Sequence, residues 1–366
     1  MSKSDDVISI EEALRLVVAD GFVLSSAYEQ VLEVLESHEC WTTWFAAVAK
    51  HIKSKPDDSL EDYIRVIRIN ILYLEDVEAG AAASKELVSS KKMTYQDFRR
   101  LVLDNVLESE EFGTEATLLM GVLDMFNKRN DQIEVIERLC FIFEKKAHSE
   151  VLLHKFYERL RKTQPENAKA LRYFRNLYSQ AQDWHSVIDV LKKLLDSAKH
   201  KQEIFRYAQE LAAVYLYQIG DCEQAIHYIE KYCSGSTLDT STIHYEAYFR
   251  LEKYESCLQV LRSALSVIDE PATRAIIHFR IATMYERLNN IKMANESFKK
   301  ALDLDNEFME AIEGLISTSI KLKDWAGVYG WLTELTGRTR SQTLLGQLNA
   351  GILRLQEGLA SGKSNR

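Results

Sequence analysis

One spacing recurs five times along the chain, and it constrains the fold more than any other feature. An apolar or bulky residue is followed after three positions by a small or branched one, after four more by an apolar one, and after three more by another. It reads Trp184-Val187-Leu191-Leu194, Cys222-Ala225-Ile229-Tyr232, Tyr254-Cys257-Leu261-Ala264, Ile291-Ala294-Phe298-Ala301 and Trp325-Val328-Leu332-Leu335. Steps of three and four bring all four side chains of a set to one face of an α-helix. Successive starts lie 38, 32, 37 and 34 residues apart. A polar or glycine dipeptide precedes each: Gln182-Asp183, Gly220-Asp221, Glu252-Lys253, Asn289-Asn290 and Lys323-Asp324. Near the end of the helix before it, three of the units carry a tyrosine, Tyr178, Tyr248 or Tyr285.

The clearest unit is Ala275 to Phe308. Its first half places Ile281, Ala282 and Tyr285 together, the turn is Asn289-Asn290, and its second half carries Ile291, Ala294, Phe298 and Ala301. Two such helices cannot bury their stripes alone, so they must pack on each other and on a neighbouring pair. Here the sequence resembles the tetratricopeptide repeat family, a helix–turn–helix array with a period of about 34 residues. Ala282, Tyr285, Ala294, Phe298 and Ala301 carry the resemblance, supported by Asp183-Trp184, Gly220-Asp221 and Ala225. It covers about 165–340 and implies an all-α superhelical solenoid of antiparallel helix pairs, about 20 helices in all. The proline that often closes a unit is replaced by Asn306.

Upstream the pattern is weaker but continuous. Helices are expected at 9–19, 26–38, 41–53, 59–74, 76–90, 94–107, 114–128 and as a pair over 131–162. The sequence Pro56-Asp57-Asp58-Ser59 is a helix-start signal. The expected organisation is an acidic helical region at 1–90, degenerate pairs at 91–164, repeats at 165–340, a capping helix at 341–359 and a disordered tail at 360–366. Leu345, Leu348, Ile352, Leu355 and Leu359 form the stripe of the capping helix. A coiled-coil seam is the other reading of that stripe.

Charge narrows the function. Residues 1–90 hold 17 Asp and Glu against 8 Lys and Arg, and the remainder holds 38 of each. A chain without basic surplus is a poor phosphate neutraliser, so no nucleic-acid partner is expected. The five cysteines, Cys40, Cys140, Cys222, Cys233 and Cys257, include no Cys-x-x-Cys pair, which fits reduced thiols in a cytoplasmic protein. Met1 to Ile10 carries Asp5 and Asp6 and leads into no long apolar run, so neither a signal peptide nor membrane insertion is expected.

Phosphate loops, nucleophile elbows and metalloprotease motifs are absent from the sequence, so no enzyme and no cofactor is expected. Cys222, His227 and Cys233 are scattered around one helix by their spacing, so no metal site is expected. Trp184, Trp325, Tyr178 and Tyr285 lie in the repeated apolar register and read as packing residues, as do Trp41 and Trp44 outside it.

The resemblance implies binding along the first helix of each pair, in a concave groove. Non-core positions there are Arg172, Asn176, Gln180, Tyr217, Gln218, Glu246, Arg250, Arg280, Thr283 and Arg287. Arg172 and Asn176 match the start of the clamp by which some family members hold a peptide carboxylate. Leu211, Asp239 and Ile243 depart from its continuation. Arg250, Arg280 and Arg287 suit an acidic or extended peptide. The expected function is a monomeric scaffold or adaptor for protein or peptide partners; motility, polarity and secretion complexes are common settings for this family. An RNA-processing helical-repeat protein and a homo-oligomeric structural protein are the alternatives.

Overall fold

The computed structural model describes residues 8–18, 27–108, 111–233, 238–338 and 342–363, with no strand among them. It divides into two compact units, Met1–Tyr173 and Phe174–Arg366, whose boundary falls inside one helix.

Unit 1 begins with α1 (Ile10–Val18), α2 (Tyr28–Ser37) and α3 (Trp41–Ser54), which close around Trp44, Val31, Leu32 and Leu35. The indole nitrogen of Trp44 donates to Glu36 at 3.0 Å. Next come α4 (Leu60–Arg68), continued by a π-helical turn over Ile69–Tyr73, and α5 (Val77–Lys91). The short α6 (Tyr95–Phe98) and α7 (Asp104–Val106) flank a second π-helical turn, Arg99–Leu103, and α8 (Phe112–Val122) packs back on α5. The pair α9 (Arg129–Lys145) and α10 (Glu150–Thr163) follows, and α11 (Ala168–Gln180) carries the chain across the unit boundary.

Unit 2 is a run of helix pairs: α12 (Trp184–Ser197), α13 (Lys201–Val214) with a π-helical turn over Tyr215–Ile219, α14 (Cys222–Tyr232), α15 (Leu238–Arg250), α16 (Tyr254–Leu265), α17 (Pro271–Arg287), α18 (Ile291–Leu304), α19 (Met309–Lys321) and α20 (Trp325–Arg338). Each packs against the next, and the first helices α13 and α15 also touch. This neighbour-on-neighbour packing is the signature of a helical repeat. The final helix α21 (Gln342–Lys363) packs on α20. It enters the stretch expected to be a polar tail; 364–366 and the side chains of Leu345, Leu348, Leu355 and Leu359 lie outside the described residues.

The five starts read from the spacing, Trp184, Cys222, Tyr254, Ile291 and Trp325, are the first residues of α12, α14, α16, α18 and α20. Behind them Val187, Ala225, Cys257, Ala294 and Val328 are buried. The turns that enter these helices share one construction. A residue with positive φ (Gln182, Gly220, Glu252, Asn289 or Lys323) closes the first helix, and the residue after it immediately precedes the second. Asp183, Asp221, Asn290 and Asp324 each accept a backbone N–H three residues on, at 3.2, 3.0, 3.4 and 3.0 Å, capping an otherwise orphaned donor. Glu39 before α3, Glu75 before α5 and His148 before α10 repeat the positive φ in unit 1.

The tryptophans at these starts need a correction. Trp325 is 43% exposed and Trp184 only half-buried. Helical side chains lean toward the N-terminus, so the first residue of a helix hangs over the turn rather than entering the stack.

Candidate interaction face on consecutive first helices

The π-helical turn at the end of α13 shapes the candidate site. In ordinary turns the capping residue's N–H reaches a carbonyl five residues back: Asp183 to Tyr178, Lys253 to Tyr248, Asn290 to Tyr285, at 2.8–2.9 Å. Asp221 instead reaches Tyr215, six residues back, at 2.9 Å. One extra residue has been absorbed as a π-turn, a device frequent at functional sites. Tyr215 is thus the fourth member of the tyrosine column, displaced in the sequence by the insertion, and Tyr217 is left 48% exposed.

Arg250 of α15 is built against that turn. Its guanidinium donates to the Leu216 carbonyl at 2.9 Å and lies 5.7 Å from the Tyr217 ring centroid, while Nε pairs with Glu246 at 3.1 Å, one helical turn away. One repeat further, the Arg280 guanidinium of α17 lies 5.2 Å from the Tyr245 ring centroid. Two successive arginines therefore stack on tyrosines of the preceding first helix, an attraction of about 0.5–1 kcal/mol at exposed sites. Arg287 is exposed on α17. No ion-pair partner of Arg280 or Arg287 occurs among the described residues. Partial burial pushes the Tyr217 phenol up and Glu246 adds to this, while Arg250 and Arg280 pull it down; for Tyr245 burial again leads, with Arg280 opposing. The Arg280 charge of α17 thus reaches tyrosines on both α13 and α15, with Glu246 opposing it.

Of the ten residues read from the sequence, the structure brings Tyr217, Glu246, Arg250 and Arg280 together, and places the Arg287 charge within reach of Tyr245. The others stand apart from this cluster. Arg172 belongs to unit 1 and has neighbours of its own. Asn176 accepts from the adjacent Arg175 at 2.7 Å, and Arg175 pairs with Glu210. The Thr283 hydroxyl is spent on the Phe279 carbonyl at 3.1 Å. Gln180 is exposed, and Gln218 is exposed beside Tyr217 but makes no hydrogen bond with the cluster's other members. Leu211 and Ile243, where a carboxylate clamp would need polar groups, are core residues. Sequence reasoning passed over Tyr245, whose signal is its place one turn before Phe249 and beside Glu246, on a helix already assigned.

Burial pushes the thiols of Cys140, Cys233 and Cys257 up, to about 12, 11 and 11, away from thiolate chemistry. Among the described residues no group of three His, Cys, Asp or Glu is placed to hold a metal, and no helix is long and apolar enough to cross a membrane.

Fold and face together define a class: an all-α helical-repeat protein with tetratricopeptide-like helix pairs. Among solved structures the chain is similar to YrrB, described as a tetratricopeptide protein with an unusual peptide-binding site, at 14% identity over 53% of this chain and 97% of that one, with a TM-score of 0.41. It is also similar to MamA from Desulfovibrio magneticus RS-1, at 18% identity over 48% of this chain and 96% of that one, with a TM-score of 0.39. A further MamA structure matches at 14% identity over 48% and 92%, with a TM-score of 0.41. No family model and no curated protein matches the chain.

Proposed function

We propose that the chain is a protein-interaction scaffold whose second unit docks an acidic, extended segment of a partner across α13, α15 and α17. The observation that carries this reading is the pair of relayed contacts, Arg250 on Tyr217 and Arg280 on Tyr245. Stacking fixes each planar guanidinium while leaving donors at its edge, the arrangement that suits bidentate carboxylate recognition. Three arginines against Glu246 leave the face net positive in a protein whose overall charge is −9. Such a surplus steers an acidic segment and speeds its encounter.

Fluorescence anisotropy with glutamate-rich, lysine-rich and Gly/Ser peptides tests the reading. The glutamate-rich peptide should bind best, weaken steeply with salt, and lose most of its affinity to a variant with Arg250, Arg280 and Arg287 all changed to Ala. Equal affinity for the three peptides, or full retention by a folded triple variant, would contradict it.

A further inference from the structure

The opposite side of α15 holds a cleft of different character. At 3.6 residues per turn, Ser241, His244 and Tyr248 share a stripe facing away from Glu246 and Arg250. This stripe lines a cleft of about 280 Å³, together with Glu230, Thr240 and Gln259. Ser241 is only 7% exposed, and its hydroxyl has no hydrogen-bond partner. The Nε2 atom of His244 is buried 3.4 Å from Glu230 Oε1 and faces that carboxylate. A buried hydroxyl left unsatisfied costs about 1–3 kcal/mol, so each such group calls for an explanation.

The chemistry of the lining is one-sided. Among the described residues Glu230 is the one charged residue of the lining, which holds no lysine or arginine. Tyr248 donates its phenolic proton to Glu230 at 2.6 Å, which fixes the carboxylate. Burial, then that hydrogen bond, pushes the Tyr248 phenol up to about 12, so it stays a donor to Glu230. Burial pulls His244 below its ordinary value despite Glu230, so the imidazole does not neutralise the carboxylate. What remains for a ligand is the Glu230 carboxylate and, buried at the wall of the cleft, the Ser241 oxygen, both able to accept. Ser241 makes no hydrogen bond to His244, so no nucleophile–base pair is built here.

We infer that this cleft receives a single cationic hydrogen-bond donor, an alkylammonium or guanidinium group, with Glu230 as counter-ion and Ser241 accepting one of its N–H bonds. Ammonium and guanidinium groups are pure donors, which suits a carboxylate beside an unpartnered hydroxyl oxygen. The group is carried either by a lysine or arginine of a partner protein or by a free polyamine. The inference is independent of the arginine face, which lies on the other side of α15 and has the opposite sign.

Saturation-transfer NMR on the full chain, with N-acetyl-arginine methylamide, N-acetyl-lysine methylamide and spermidine as probes, tests it. At least one probe should bind saturably. Glu230→Gln and Ser241→Val should each weaken it about tenfold or more, the usual scale for losing a hydrogen bond to a charged group. Ser241→Val removes an unpartnered hydroxyl and should melt no lower than the parent, which separates lost binding from lost fold. Binding by the capped amino acids alone assigns the group to a partner side chain, and preference for spermidine assigns it to a polyamine. The inference is overturned if no probe binds, if binding survives Glu230→Gln, or if Glu255→Gln at an exposed acid of α16 weakens it equally.

Discussion

The backbone amide of Asp221 donates to the carbonyl of Tyr215, six residues upstream, where the equivalent bond in neighbouring repeats spans five. That single bond records a one-residue insertion, and the turn around it depends on Gly220, whose φ is +83°. No atom lies within 4 Å of a Cβ built there, so Gly220→Ala tests the backbone alone. The left-handed conformation should cost about 1–2 kcal/mol. Lys323→Gly, at φ +59° in the sister turn, should gain up to about 1 kcal/mol. Melting temperatures for the two variants should shift in opposite directions; shifts of the same sign would mean the turns are not equivalent.

The same insertion explains what was legible beforehand. The five second helices announce themselves because small and apolar residues recur at fixed steps and an N-cap residue precedes most of them. Tyr215 was hidden because a π-turn breaks that step between the tyrosine and the cap. Unit 1 reads less clearly for a similar reason: two further π-helical turns, Ile69–Tyr73 and Arg99–Leu103, interrupt its periodicity. Side chains that stack across repeats, as Arg280 does on Tyr245 at a separation of 35 residues, leave no local periodic signal at all.

Ala294 is fully buried where α18 meets its neighbours, whereas Glu296 on the same helix is exposed. Ala294→Leu should destabilise by about 1–3 kcal/mol through overpacking, and Glu296→Leu should stay within about 0.5 kcal/mol. Thermal melts followed by circular dichroism will show whether the two separate. Equal shifts would place the repeat register wrongly.

Gly314 of α19 marks a close approach to α18. A Cβ there would lie 2.6 Å from the ring of Phe298, itself only 2% exposed. Helix propensity alone favours Gly314→Ala by about 1 kcal/mol. The clash with a buried ring should outweigh it, for a net loss of about 1–2 kcal/mol. A stabilised variant would show that Phe298 moves freely, contrary to its burial.

Acid should weaken the fold through His244 and His278, both held below their ordinary value of 6.5, chiefly by burial. With depressed folded-state values, the unfolded chain takes up these protons first. The stabilisation is therefore complete above the unfolded value and fades as pH falls through the window beneath it. The melting temperature should drop between about pH 7 and pH 5. A variant with both histidines changed to Gln should drop less, and an unchanged slope would remove these histidines from the account.

A partner lying across the first helices α13, α15 and α17 should be trapped from that face and not from the second helices. A photo-crosslinking residue at exposed Gln218, next to Tyr217, probes that face, and one at exposed Glu296 on the second helix α18 serves as the control. In native lysate the Gln218 probe should trap a discrete set of proteins, and adding Arg250→Ala with Arg280→Ala should abolish the adducts while the helical spectrum stays intact. Adducts formed from position 296 but not from 218, or adducts at 218 indifferent to the two arginines, would contradict the account.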